Sequence, residues 1–317
     1  MDTDLHPDMD ADATVELFDD PQAFLDEAAT LLASDPVIGS VISSVTQRTA
    51  REVQAGVDSW TEVGAPFARW WAVVRDGSGG VVSAVMRTAP FPPHPTFAMP
   101  MSDAGAAALA TALHGRGELL GGMNGALPGA RALADETVRL WGGTLTVDKH
   151  TRLWEATTVR VPAPPEGHLR RAVEDDADVV LAWFRAFHAE AAEQAGREPD
   201  SDGGEHNTLD SILVRIREGV EWLWELPDGA VAHLSGAGLP AYGVSRIGPV
   251  YTPREHRGHG IASYVVGELT RRGLEAGHRM CLFTDRANPT SNKIYAGVGY
   301  EPVVDMAEHL VTVPGRP

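Results

Sequence analysis

The sequence predicts a mixed α/β (α+β) protein of two domains, and three observations carry that reading. Helix-like and strand-like patterns alternate along the whole chain, which points to layered helices and sheet. The chain has 317 residues, more than one ordinary core holds. A Pro-rich segment, Val161 to His168, lies near the middle, and each proline forces its predecessor into extended geometry, as in a linker. The expected organisation is a disordered acidic tail over 1–12, a first domain over 13–161, a linker over 162–166 and a second domain over 167–317.

In the first domain, DDPQAFLDEAATLLAS reads as a helix. WWAVVRD and GVVSAVMRTA read as strands around a Gly-Ser-Gly-Gly turn, and PTFAMPM follows. A helix spans about Ala104 to His114; then come GELLGGM, a helix through ALADETVRLWG, and the segments LTVDKH and RLWEATTVR.

The second domain opens on a short strand, GHLRRAV. A helix follows, opened by Glu174, Asp175 and Asp176 and carried by Val179, Val180, Trp183, Phe184 and Phe187. A second helix covers Leu209 to Glu218. EWLWEL alternates, turns at Pro227-Asp228-Gly229 and pairs with AVAHLSGAG as a hairpin. YGVSRIGPVYT is another strand. An amphipathic helix then runs from about Gly258 to Ala276, with Ile261, Val265, Val266 and Leu269 at helical spacing and Gly277 as its stop. MCLFT is a short apolar strand, NPTSNKIYAGVGY leads into a helix, and EPVVD and EHLVTV are read as a closing strand pair.

Composition narrows the function. The formal charge of -18 repels phosphate backbones and no Lys/Arg cluster offsets it, so no nucleic-acid partner is expected. No apolar run approaches the roughly 18 residues of a membrane span. The first fourteen residues carry five Asp and no basic stretch, unlike a signal or transit peptide, and a cytoplasmic location is expected. The single cysteine, Cys281, lies in an apolar run and reads as a buried structural thiol.

The sharpest chemical signal is Arg254-Glu-His-Arg257-Gly258-His259-Gly260-Ile261-Ala262, between a strand and a helix. Several unpaired backbone N–H groups collect at such a positive helix end. Glycines at 258 and 260 let a phosphate approach the backbone, and Arg257 adds a charge-assisted contact. The loop lacks the Walker lysine and the three-glycine dinucleotide spacing, which argues against a nucleoside triphosphate or NAD. His256 and His259 form H-x-x-H on a loop with no third ligand nearby, and no metal is expected.

Together with Asn288-Pro-Thr-Ser-Asn292-Lys-Ile-Tyr295-Ala-Gly-Val-Gly-Tyr300, this loop resembles the GNAT superfamily of N-acetyltransferases, over about Gly167 to Val313. R-x-x-G-x-A at Arg257 to Ala262 is similar to its pyrophosphate loop, and N-P-x-S-N-x-I-Y-x-x-x-G-Y to its second signature. The phrase R-I-G-P-V-Y-T-P-x-E-H-R-G-H-G resembles a bacterial subgroup with an extra N-terminal domain. The resemblance implies acetyl-CoA as cosubstrate and an amine acceptor of unassigned identity. It implies that the strand Gly248 to Thr252 splays from its neighbour and leaves Val250, Tyr251 and Thr252 facing the pantetheine arm, with a backbone N–H near Val250 for the oxyanion. The N–H groups from Arg257 through Gly258, His259, Gly260 and Ile261 to Ala262 would hold the pyrophosphate. Asn288 and Asn292 would contact the cofactor, and Tyr295 would protonate the departing thiolate. Alternatives within the resemblance are a non-catalytic acyl-CoA-binding or sensing module and a tandem enzyme similar to mycothiol synthase.

Other roles stay open at this point. Asn288 is also placed to cap a helix beside Pro289. Glu221, Glu225 and His233 are candidates for a general base on chemistry alone, and Trp222 and Trp224 read as core. The element order of the first domain repeats that of the second, so a degenerate GNAT-like domain without a cofactor site is expected there: Ser102-Asp103-Ala104-Gly105 stands where the phosphate loop would be, and Asn124-Gly125-Ala126-Leu127-Pro128-Gly129 only faintly echoes the second motif.

Overall fold

The same succession of elements, β-α-α-β-β-β-α-β-α-β, occurs twice among the described residues. The structure is a computed structural model that describes residues 13–56, 68–89, 93–194 and 207–315. The first succession is β1 (Thr14–Phe18), α1 (Pro21–Ser34), α2 (Ser40–Gln54), β2 (Trp71–Arg75), β3 (Val81–Arg87), β4 (Pro95–Ala98), α3 (Asp103–Gly115), β5 (Gly122–Ala126), α4 (Gly129–Trp141) and β6 (Thr144–Ala156). The second is β7 (His168–Arg171), α5 (Ala177–Gln194), α6 (Leu209–Arg217), β8 (Glu221–Glu225), β9 (Val231–Ala237), β10 (Val244–Tyr251), α7 (Ile261–Glu275), β11 (Arg279–Asp285), α8 (Pro289–Val298) and β12 (Tyr300–Thr312). The segment 1–12, expected as an acidic tail, lies outside the described residues.

The chain forms two compact units that do not follow the Pro-rich segment. The first unit ends at Arg152 and regains the chain from Val304; the second is Leu153–Val303. The division therefore falls inside β6 and inside β12, earlier than the expected linker and short of the C-terminus. Each of these strands is one continuous element of 13 residues. LTVDKH and RLWEA are a single strand, and EPVVD and EHLVTV are one strand rather than a pair. Proline and charge interrupt the apolar pattern there without breaking the extended backbone, since Pro302 lies in the strand itself.

Strand pairing repeats with the element order. In the first unit β1, β2, β3 and β4 pair antiparallel in sequence, and β4 pairs parallel with β5. In the second, β7, β8, β9 and β10 pair antiparallel, and β10 pairs parallel with β11. The end of β12 returns to the first unit, where Met306 to Leu310 run antiparallel to Gly122 to Ala126 of β5.

Local chemistry explains the elements. Asp20 accepts from the Ala23 N–H at 2.7 Å and Pro21 starts α1, which buries Phe24, Leu25, Ala28 and Leu32. β2 is buried through Trp71–Val74, as a central strand covered on both faces should be. α2 and β1 had no counterpart in the sequence reading. The α2 sequence, SVISSVTQRTAREVQ, is rich in Ser, Thr and Val, which have weak helix propensity, and tertiary burial of Ile42, Thr46 and Ala50 outweighs it.

The sheet of the second unit has a core on each face. Trp224, Ile247, Val265, Val266, Leu269 and Tyr295 pack with α7. Phe184, Ile212, Ile216, Leu223 and Leu234 pack with α5 and α6. Residues Leu223 and Trp224 thus face opposite ways, as the strand period requires.

Candidate functional site

The second unit holds a cavity of about 660 Å³ where β10, the loop after it, α7, α8 and α5 come together. Its geometry starts with the strands. β10 pairs with β11 at Val244, Ser245 and Arg246, whereas against β9 it continues to Tyr251, across an irregularity between Ile247 and Val250. The far end of β10 is thus held from one side, and Val250, Tyr251 and Thr252 line the cavity.

The loop turns into α7 through two left-handed glycines, Gly258 (φ 82°) and Gly260 (φ 78°), and a Cβ at either would point into open space. Gly260 caps α7 without a side-chain hydrogen bond. The first helical bond is Tyr264 N–H to the Gly260 carbonyl at 3.0 Å, so the N–H groups of Ile261, Ala262 and Ser263 precede any helical acceptor. Arg257, Gly258, Gly260, Ile261, Ala262 and Ser263 all line the cavity. His259 does not; its Nδ1 lies 3.2 Å from the His256 carbonyl, while His256 itself is a lining residue. Among the described residues no three His, Cys, Asp or Glu side chains gather as a metal site.

The second motif supplies the opposite wall. Asn288 and Tyr295 line the cavity, together with Pro289, Ser291 and Ile294. Asn288 caps α8 by accepting from the Ser291 N–H at 3.1 Å, so it has the capping role whatever else it touches. Asn292 is not a lining residue. Its Nδ2 donates at 3.4 Å to the carbonyls of Asp285 and Arg286, bracing the turn from β11. Tyr295 is 7% exposed, meets Tyr300 edge-on at 6.2 Å between ring centres, and burial raises its pKa.

The α5 wall went unassigned in the sequence. Phe187, Glu190 and Ala191 line the cavity. Tyr251 Oη donates to Glu190 at 3.0 Å, and Arg257 Nη2 donates to the other Glu190 oxygen. Arg257 Nε donates to the Thr252 carbonyl at 2.8 Å, so one edge of the guanidinium fork is taken up within the protein. Arg254 adds contacts to Glu190 at 3.7 Å and Glu193 at 2.7 Å. Burial works to raise the Glu190 pKa, but the hydrogen bonds from Arg257 and Tyr251 and the two arginine charges hold it below the ordinary carboxylate range. Burial, then the Glu190 bond, pushes Tyr251 up to about 12. A signal was available: Glu190 lies three positions after Phe187, hence on the same helix face.

The base candidates separate sharply. Glu221 is fully buried, bound to Arg215 Nε at 2.5 Å, and is not on the cavity; Glu225 is bound to Arg170 Nε at 2.5 Å. His233 is fully buried, with Nδ1 2.7 Å from Thr252 Oγ1 and Nε2 2.7 Å from Ser235 Oγ. Burial lowers its pKa to about 3, so the ring is neutral and reaches the cavity only through Thr252. Trp224 is core, its Nε1 donating to the Glu166 carbonyl at 3.0 Å; Trp222 lies between the guanidiniums of Arg171 and Arg272. Cys281 is buried, as its apolar run suggests.

The corresponding place in the first unit is built differently. β4 and β5 pair along Pro95–Ala98 and Gly122–Gly125. Ser102 accepts from the Gly105 N–H at 3.2 Å and Asp103 puts a negative charge in the first turn of α3. Asn124 and Gly125 lie in β5 rather than on a loop.

The fold is similar to that of solved GNAT-family acetyltransferases, one of them a tandem GNAT protein. Residues 227–308, which include the phosphate-loop sequence and the second motif, match the FR47-like protein family. A Drosophila protein of known structure superposes with a TM-score of 0.64 at 12% identity, covering 95% of this chain and 99% of that one. A GCN5-related N-acetyltransferase from Sphaerobacter thermophilus has a TM-score of 0.54 at 16% identity, covering 96% and 95%. A tandem GNAT protein from the clavulanic acid biosynthesis pathway has a TM-score of 0.52 at 14% identity, covering 96% and 100%. No curated protein matches the chain by sequence. None of its described helices is long and apolar enough to cross a membrane.

Proposed function

We propose that the chain is an acetyl-CoA-dependent N-acetyltransferase that moves an acetyl group to a primary amine by direct attack in a ternary complex. The observation that carries this reading is the meeting of the two motifs on one cavity, with orphan helix N–H groups on one wall and Tyr295 on another. The cavity suits the donor in three ways. The open glycine turn and the N–H groups of Ile261, Ala262 and Ser263 accept a pyrophosphate. The β10 edge at Val250–Thr252, beyond the pairing with β11, accepts an extended arm with amide groups. Apolar Phe187, Val250, Ile261 and Ile294 cover the remainder.

In this reading the thioester supplies the acyl group and the protein positions it. The Val250 N–H holds the carbonyl oxygen as negative charge develops. The neutral amine attacks, the carbon–sulfur bond breaks, and the Tyr295 hydroxyl donates to the sulfur. The amine's own proton leaves to solvent and the Tyr295 phenolate regains one from it: neither Glu221 nor Glu225 reaches the cavity, and the lining carboxylate Glu190 is engaged by Tyr251 and Arg257. The mobile acyl group requires no covalent enzyme intermediate. Thiol release from acetyl-CoA, measured against a panel of small amines, amino acids and peptide N-termini, tests the proposal. Amine-dependent release with matching acetylated product is expected. Saturable acetyl-CoA binding with no release by any amine would favour an acyl-CoA-binding module instead.

A further inference from the structure

Glu190 and Arg257 form an ion pair on the wall of the cavity. Among the described residues Arg257 is the one arginine that lines the cavity, and its Nε and Nη2 donors form the side edge of the guanidinium, the geometry that matches a phosphate bidentately. That edge is spent on the Thr252 carbonyl at 2.8 Å and on the Glu190 carboxylate. Glu190 is itself locked: it takes Tyr251 Oη at 3.0 Å on its other oxygen, and Arg254 stands 3.7 Å away. Its side chain is 18% exposed, so water screens the pair only partly. Glu190 is also the sole carboxylate among the described residues that line the cavity.

We propose that Glu190 is a residue that sets donor specificity, competing with the donor's phosphates for Arg257 and so holding donor affinity down. The inference rests on the donor site proposed above. A phosphate arriving at the α7 N-terminus meets an arginine already neutralised by a carboxylate, and it gains full charge contact only by drawing the guanidinium away from Glu190. When it does, Glu190 keeps the Tyr251 hydroxyl and the Arg254 charge, so the carboxylate is not left stranded. The Arg257 charge attracts phosphate; Glu190 makes that attraction conditional.

Replacing Glu190 by Gln keeps the shape and a hydrogen-bond acceptor for Tyr251 but removes the charge. A residue that only supports the wall would, on this change, weaken every ligand or none. Competition predicts the opposite sign, and only for ligands with phosphates. Calorimetric titration of the full-length protein should show coenzyme A and dephospho-coenzyme A binding roughly three- to tenfold more tightly to Glu190→Gln than to the parent, in the range expected for a partly screened ion pair. Pantetheine, which has no phosphate, should be unchanged. Arg257→Gln should weaken coenzyme A, and the double variant should match Arg257→Gln with no gain from the Glu190 change. Unchanged or weaker coenzyme A binding in Glu190→Gln overturns the inference, as does an equal gain for pantetheine. A parent protein that binds no coenzyme A removes the donor-site reading itself, a separate result. Unfolding temperatures of all variants identify a change that acts by disrupting the fold.

Discussion

Burial keeps the Tyr295 hydroxyl protonated across the neutral range and, by the same physics, makes it a weak acid. A phenolate in that position would sit among apolar neighbours, and in the proposed reaction the hydroxyl would donate to the thiolate as it forms. Tyr295→Phe should therefore lower turnover by about a hundredfold while acetyl-CoA affinity stays within error, the pattern of an interaction made only in the transition state. Single-turnover kinetics beside calorimetry check this, and equal turnover would leave Tyr295 as a packing residue. His233 makes a second residue-scale prediction. Its folded pKa of about 3 lies below the ordinary value of about 6.5, so the unfolded chain binds the extra proton. The stability this buried neutral ring permits is complete above about pH 6.5 and is lost as pH falls toward 3. His233→Gln cannot take up that proton, so its unfolding temperature should fall less steeply than the parent's between pH 7 and 4. Parallel curves would contradict the assignment.

At the scale of elements, the loop into α7 does the most with the fewest residues. Gly260 at φ 78° ends one backbone course and exposes three N–H groups in succession. Gly260→Val would force a β-branched residue into left-handed geometry, at a cost of about 1–2 kcal/mol or more, and would put a side chain where a phosphate must approach. The variant should melt lower and should lose the stabilisation by acetyl-CoA; a full ligand-induced shift in a folded variant would remove the phosphate role from this loop. Such a loop is legible in a sequence because its parts are adjacent: glycines with positive φ, a strand before, an amphipathic helix after. The second motif is legible for the same reason, as Asn288, Pro289 and Ser291 form one cap. The α5 wall is legible only in part: the three-residue spacing puts Phe187 and Glu190 on one helix face, but Glu190 meets Arg257 across 67 positions and nothing local marks a helix glutamate as a partner of a loop arginine. Asn292 shows the converse limit, since motif position alone does not tell which side chains turn toward a cavity and which brace the backbone behind it.

For the whole molecule, the repeated order was readable but the division was not. A Pro-rich stretch looks like a linker, yet its Glu166 carbonyl accepts from Trp224 Nε1 at 3.0 Å, tying that stretch into the second unit. The last residues of the chain belong to the first unit, where Arg152 binds Asp305 through two bonds of 2.6 and 3.0 Å and Val311 N–H donates to the Gly121 carbonyl at 2.9 Å. A fragment cut at 153–303 should therefore fold and bind coenzyme A. A fragment of 167–317 lacks Leu153–Ala156 of β6, including the Trp154 Nε1 bond to Thr284 at 2.8 Å, and carries a strand that belongs to the other unit, so it should be the less stable of the two. Thermal melts of both fragments decide this, and a more stable 167–317 would show that the Pro-rich segment is the true boundary.

In the proposed function the cavity of Leu153–Val303 binds acetyl-CoA through the α7 N-terminus. Isothermal titration of acetyl-CoA into the full-length protein, with thermal unfolding in parallel, tests it most directly. One saturable site per chain is expected and, at about a hundred times the dissociation constant, a stabilisation near 2.7 kcal/mol. Absence of heat and of any shift in unfolding temperature at millimolar acetyl-CoA would contradict it.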